Sequence, residues 1–325
     1  MTNTDKESLP TVDISPFLTE TGSPKDRAQT VNSLHQACKD VGFFYLVGHG
    51  VSEEEMNRSL DLGKQFFHLP EEAKQVLSIG KNDHARGYQR LGENVTMYKR
   101  DWHEGLDFYK PIDDSHYLRQ HQLPMRGENR WPESIPEFRP TFEAYIEKMK
   151  QVGEAVMKAM AIALGMEETF FDGLVNDSFW VARVIGYPKL VSQNGDVGVS
   201  CGEHTDYGCL TLLLQDSTMG ALQVQTRDGS WINADPIPGA YVVNIGDMVD
   251  VWTNGLYTST LHRVIHKGDN YRISIPFFFE PNFDAVIEPL DTCISQSGGK
   301  KKYESVVYGQ HLLRKVANNF DVVEK

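Results

Sequence analysis

Apolar positions in the first half of the chain recur mainly at helical spacing. Ala28, Val31, Leu34, Cys38 and Val41 step by three or four residues and predict a helix from Arg27, and Phe43-Phe44-Tyr45-Leu46-Val47 then predicts a short buried strand. A second helix is framed at both ends. Ser52 and Glu55 have capping-box spacing, Met56, Leu60 and Phe67 supply an apolar face, and Pro70 stops the element. Residues 80–136 mix Gly, Pro, Asn, Asp and charge without a lasting period, which predicts a loop-rich stretch with short elements. A long helix follows, carried by Phe138, Phe142, Tyr145, Met149, Val152 and Val156 and ended by Gly165.

From Phe179 the pattern changes to short β-rich runs: VARVIGYP, LTLLLQ, LQVQT, WINADP, AYVVNIG and RISIPFFFEP, separated by turn residues at intervals that suit an antiparallel sandwich or barrel. A last amphipathic segment, Glu304 to Val316, is placed as a cap on the sheet. The fold expected is mixed α+β, with a mainly helical region over residues 1–165 and a β-rich region over 166–325, packed as one globular unit.

Charge narrows the partners. Thirty-two Lys and Arg against 45 Asp and Glu give −13, and no basic stripe stands out, so a nucleic-acid backbone is disfavoured and a small molecule is expected. No apolar run approaches the ~20 residues of a membrane-spanning helix, and the polar start MTNTDKESLP implies no export. A cytoplasmic monomer with no membrane partner is therefore expected. Cys38, Cys201, Cys209 and Cys293 form no C-x-x-C pair, which argues against a disulfide framework or a thiolate zinc cage.

The candidate chemistry lies in the β-rich half. In a strand, residues i and i+2 share a face, so His204 and Asp206 would present an imidazole and a carboxylate together. His262 is far enough along the chain for a distant strand to bring a third ligand. Two histidines and a carboxylate on one face of an octahedral ion leave positions open, as in non-haem Fe(II) oxygenases. Arg272 and Ser274 are a further i, i+2 pair. A guanidinium fork and a hydroxyl suit the distal carboxylate of a dicarboxylic cosubstrate; the alternative is that Arg272 pairs with a structural acid.

With these residues the sequence resembles the plant-type 2-oxoglutarate- and Fe(II)-dependent dioxygenases of the isopenicillin N synthase-like superfamily. The resemblance spans nearly the whole chain. It rests on Leu9 to Ile14, Gly42 to Tyr45, Gly48-His49-Gly50 and Phe66 to Pro70 at the front, then on Gly202 to Gly208, Leu222-Gln223-Val224, Val243 to Met248 and Ser259 to Val264. It implies a double-stranded β-helix (jelly roll) flanked by helices, with Fe(II) held by His204, Asp206 and His262. It also implies 2-oxoglutarate on the metal, with Arg272 and Ser274 on its distal carboxylate and Tyr187 close to it. Ile185 stands where the family usually has Asn. The implied reaction takes O2, releases succinate and CO2, and oxidises an unactivated C–H bond by hydroxylation, desaturation or oxidative cyclisation.

Substrate contacts are expected from Arg183, which alternation puts on the face of Tyr187, and from Arg86 in the loop-rich stretch; a carboxylate-bearing metabolite would suit both. Arg183 could instead form a structural ion pair. Phe277 and Phe279 share a face and could wall an apolar pocket or fill the core. Arg86-Gly87-Tyr88, Glu93-Asn94 and Trp102-His103-Glu104 could form a lid or a solvated loop. Two anion-binding arginines would fit an amino acid or its N-alkylated derivative, as in the kainoid synthases of red algae. Two other enzyme readings use the same ligands: an iron oxidase that dispenses with 2-oxoglutarate and keeps the Arg-x-Ser, and a zinc-type hydrolase, which that Arg-x-Ser disfavours.

Overall fold

The computed structural model describes residues 8–19, 22–80, 85–96, 99–120, 125–190 and 199–320. Residues 1–7, on which the expectation about export rests, lie outside them. In chain order the elements are β1 (Thr11–Asp13), α1 (Ser15–Leu18), α2 (Pro24–Asp40), β2 (Phe43–Val47), α3 (Glu53–Phe67), α4 (Glu71–Gln75), β3 (Gly87–Gln89), β4 (Val95–Thr96), β5 (Lys99–Arg100), β6 (Glu104–Tyr109), α5 (Tyr117–Gln120), α6 (Phe138–Ala163) and α7 (Asp172–Val175). The second half adds β7 (Val181–Tyr187), β8 (Cys201–His204), β9 (Leu210–Gln215), β10 (Leu222–Gln225), β11 (Trp231–Asn233), β12 (Tyr241–Ile245), α8 (Asp247–Trp252), β13 (His262–Val264), β14 (Arg272–Phe279), β15 (Val286–Ile287), α9 (Asp291–Gln296), β16 (Val306–Val307) and α10 (Tyr308–Phe320).

The helices begin and end for local reasons. Ser23 caps α2 by accepting from Asp26 N–H, and Ser52 and Glu55 close a complete capping box on α3. Past α6, Gly165 sits at φ +76, the left-handed conformation that glycine adopts most readily.

Two sheets face each other, as expected of a jelly roll. The main sheet runs β1-β2-β12-β9-β14-β7-β6-β3 and the smaller one β11-β10-β13-β8. The main sheet draws strands from both sides of residue 165. Its outer face packs on α2, α3 and α6 through a large core that includes Leu34, Leu62, Phe66, Phe142, Met149, Ile273, Ile275, Phe277 and Phe279. A second cluster fills the space between the sheets, with Phe43, Tyr45, Ile185, Tyr187, Leu222, Val224 and Val242.

One part of the supposed loop-rich stretch is not loop. β6 is buried along its whole length and pairs in antiparallel register with β7, Asp107 opposite Arg183 and Gly105 opposite Ile185. Glu104, read as part of a lid or a solvated loop, accepts instead from Lys74 Nζ at 2.6 Å and from the hydroxyls of Tyr88 and Tyr271 at 2.5 Å. This buried acid is satisfied by one cation and two phenols, and the group joins α4, β3, β6 and the start of β14.

Candidate functional site

Strand pairing brings the two distant histidines together: His262 on β13 stands opposite His204 on β8, and their rings are 4.2 Å apart between centroids. Asp206 joins them by another route than expected. β8 ends at His204, and Asp206 lies in the turn beyond it. That turn is held from below. Asp247 N–H donates to the Asp206 carbonyl at 2.8 Å and Met248 N–H to the Gly208 carbonyl at 2.9 Å. A Cβ on Gly246 would meet the Gly208 oxygen at 2.4 Å, so the close approach requires a glycine there.

The donor atoms are oriented toward one point. His204 Nδ1–H donates to the Gly202 carbonyl at 2.7 Å and His262 Nδ1–H to the Thr260 carbonyl at 3.1 Å, which directs both Nε2 atoms to the centre. Each Nε2 faces Asp206 Oδ1, at 3.7 Å from His204 and 3.6 Å from His262. The other carboxylate oxygen, Oδ2, is occupied by Asn244 Nδ2–H at 2.7 Å and by the Thr211 hydroxyl. Burial would raise the Asp206 pKa, but His262, His204 and the Asn244 and Thr211 hydrogen bonds hold it below the ordinary carboxylate value. Burial and the neighbouring His204 push His262 down to about 4, so its Nε2 stays an acceptor at neutral pH. Burial lowers the His204 pKa, but Cys201 and Asp206 raise it to about 10, so a divalent cation would displace its proton and meet two imidazoles and an ionised carboxylate with a free oxygen.

A second polar feature stands between the sheets. Arg272 is fully buried, and its Nη2 donates to Gln215 Oε1 at 2.9 Å. Among the described residues its Nε and Nη1 have no acceptor. A buried guanidinium with two nitrogens left without acceptors is costly unless an anion accepts from it, and Nη1 with the second N–H of Nη2 makes an end-on fork that can hold a carboxylate. Ser274 lies on the same face two residues on, opposite Ile185 of β7 and Gln215 of β9. Tyr187 lies opposite Arg272, its ring 4.8 Å below the guanidinium carbon. Burial is the main reason its hydroxyl is pushed up to about 12.

The other expected residues divide. Arg183 faces the space between the sheets and its side chain keeps 23% of its surface exposed; Nε donates to Asp107 Oδ1 at 2.8 Å, and Nη2 reaches Gln89 Oε1 at 3.2 Å and Asn94 Oδ1 at 3.3 Å. It thus has its structural ion pair and an accessible edge as well. Arg86 does not match its expected role: it is fully buried and donates to the Met125 carbonyl at 3.0 Å and the Lys110 carbonyl at 2.9 Å, so its charge supports the chain. Phe277 and Phe279 do share a face, but it is the wrong one. They point with Ile273 and Ile275 into the helix-side core, Phe277 stacking on Trp180 and Phe279 lying against Gly153 of α6. The face of Arg272 and Ser274 belongs to Phe278. The sequence reading assigned no role to Thr211, Gln215 and Asn244. Their signal was an inward polar position in an otherwise apolar strand.

Two family profiles match the chain, a non-haem dioxygenase N-terminal region described from morphine synthesis over residues 9–134 and the 2OG-Fe(II) oxygenase superfamily over 179–281. A homoarginine-6-hydroxylase of Oryza sativa subsp. japonica is 44% identical over 326 residues, covering 97% of this chain and 98% of that one. The chain belongs to the 2OG-Fe(II) oxygenase superfamily. A homoarginine-6-hydroxylase of Glycine max is 43% identical, with 98% of both chains covered. Among solved structures, a full-length Neurospora crassa protein in complex with alpha-KG and 5-formyluracil superposes with a TM-score of 0.83 at 28% identity over 98% of each chain. JOX2 in complex with 2OG, Fe and JA gives 0.75 at 28% identity over 94% of this chain and 84% of that one. This oxygenase is an oxidoreductase that uses Fe(II), 2-oxoglutarate and O2 and acts on a small molecule. Among the described residues no helix is long and apolar enough to cross a membrane.

Proposed function

We propose that the chain hydroxylates an unactivated C–H bond of a guanidino amino acid of the homoarginine type, with His204, Asp206 and His262 holding Fe(II) and with Arg272, Ser274 and Tyr187 receiving 2-oxoglutarate. The observation that carries the substrate class is the 40–44% identity, over almost the whole chain, to four homoarginine-6-hydroxylases. The names of these relatives favour hydroxylation over ring closure. The unpartnered nitrogens of Arg272 support an anionic cosubstrate and count against a zinc hydrolase, and the likeness to 2OG-Fe(II) oxygenases counts against an iron oxidase without 2-oxoglutarate.

The bound iron supplies the oxidising chemistry that couples decarboxylation of 2-oxoglutarate to insertion of oxygen into the substrate. The protein's part is orientation and exclusion of water. Asn244 and Thr211 fix Asp206 so that one oxygen alone faces the metal. Arg272 draws the distal carboxylate into a buried position, which sets the cosubstrate's reach toward the metal. Arg183, braced by Asp107, offers its free edge to the substrate carboxylate.

The test is incubation with L-homoarginine, Fe(II), 2-oxoglutarate and air, with mass spectrometry for a product heavier by one oxygen. Arg183→Ala is expected to raise the homoarginine KM and leave the 2-oxoglutarate KM unchanged. Absence of the product from the wild-type reaction refutes the substrate class; equal KM values in wild type and variant refute the role of Arg183.

A further inference from the structure

We propose a second divalent-metal site, formed by Asp101, His103 and Cys201 behind the imidazole of His204. Asp101 and His103 come from the β5–β6 connection and Cys201 from the first position of β8, and one ligand atom from each lies within 4.8 Å of the other two.

His103 gives the cluster its significance. The residue is 2% exposed, and its Nδ1–H donates to the Ser200 carbonyl at 2.8 Å. The lone pair is therefore on Nε2, which is buried and among the described residues has no partner. Leaving such a group bare costs about 1–3 kcal/mol, and a cation would satisfy it. Burial, with Arg183 and His204 adding repulsion, also pushes the imidazole down to about 3, so it remains neutral and able to ligate at neutral pH.

The donor set selects the ion. A neutral imidazole, a thiolate and a carboxylate suit zinc or cobalt and not magnesium or calcium. Bonds of about 2.0–2.3 Å put tetrahedral ligands about 3.5 Å apart, so the three groups would draw in by about 1 Å. Asp101 already accepts from Gly202 N–H at 2.9 Å through Oδ1 and from the Thr96 hydroxyl at 2.7 Å through Oδ2, but each carboxylate oxygen has a second lone pair. Binding forms a metal–sulfur bond and releases the Cys201 thiol proton to solvent, with no change of oxidation state.

This site is coupled to the first by contact. Cys201 Sγ lies 3.8 Å from His204 Nδ1, and Asp101 holds the amide of Gly202, the residue whose carbonyl orients that same ring. A zinc ion drawing Cys201 and Asp101 together pulls on the support of His204 and lowers turnover while Fe(II) remains bound.

Cobalt(II) titration of the metal-free full chain under anaerobic conditions separates the sites, since the His204–Asp206–His262 centre has no sulfur. The expected result is two equivalents bound per chain, one of them with a near-ultraviolet thiolate-to-cobalt band. Cys201→Ser should bind one equivalent without the band, and His204→Ala should keep the band, which serves if the serine variant does not fold. A single equivalent without the band in the wild type overturns the proposal, as does a band that survives Cys201→Ser or is lost in a folded His204→Ala. None of these results bears on 2-oxoglutarate-dependent catalysis, which is read separately by succinate formation.

Discussion

Arg272→Gln removes the guanidinium that the buried centre leaves half-satisfied. In the free protein it loses one hydrogen bond, from Nη2 to Gln215 Oε1 at 2.9 Å, and a buried charge disappears with it. In the 2-oxoglutarate complex it loses two charge-assisted bonds to the distal carboxylate, worth about 1.5–3 kcal/mol each. Arg272 is wholly buried, so bulk water does not replace them. A loss of about 3–6 kcal/mol corresponds to roughly 10²–10⁴-fold in Kd. The assay is anaerobic titration of the Fe(II)-loaded protein with 2-oxoglutarate, read by its metal-to-ligand absorption band. Thermal unfolding supplies an independent measure: 2-oxoglutarate should raise the Tm of the wild type by mass action and leave that of the variant unchanged. A Kd within about threefold of wild type, less than ~0.7 kcal/mol, would refute the assignment of Arg272 to the distal carboxylate.

Three further outcomes test the surroundings of the site. Asn244→Ala frees Asp206 Oδ2 from one of its two holders and should weaken Fe(II) binding by about 10–100-fold, measured by competition with a chelator; unchanged affinity would show that the Thr211 hydroxyl suffices. Gly153→Ala places a Cβ 2.5 Å from the Phe279 ring and should cost about 1–3 kcal/mol in denaturant unfolding, with substrate KM unaffected; a raised KM with intact stability would put Phe279 at the pocket after all. Burial, with Asp206 and Asp247 nearby, raises the Glu280 carboxyl from 4.5 to about 8, so the folded protein holds a proton there that the unfolded chain releases. Stability of the metal-free protein should therefore fall as pH rises from 4.5 to 8, and Glu280→Gln should flatten that decline; parallel Tm curves against pH for the two proteins would contradict it.

The readable parts of this sequence were those in which one physical signal dominated. Alternation placed the strands Val181–Tyr187, Leu210–Gln215 and Arg272–Phe279, and period and capping marked Pro24–Asp40, Glu53–Phe67 and Phe138–Ala163. His204, Asp206 and His262 could be grouped because few structural roles require that set in that order. Glu104–Tyr109 was missed because its Glu and Asp look solvated along the chain, whereas in the fold Lys74 and Arg183 neutralise them inside a sheet. Arg86 was misplaced, and Phe279 was left open between pocket and core, for a related reason. Spacing specifies which side chains share a face, but only the packing of α6 and the carbonyls of Lys110 and Met125 decide which face meets the site.

Release of labelled CO2 from carboxyl-labelled 2-oxoglutarate by the Fe(II)-loaded protein in air tests the central assignment most directly. Wild type is expected to form CO2 and succinate in equal amounts, and Asp206→Ala, which removes the one ionised ligand, to form neither above background. Undiminished release from a folded Asp206→Ala protein, or none from wild type, would contradict the account.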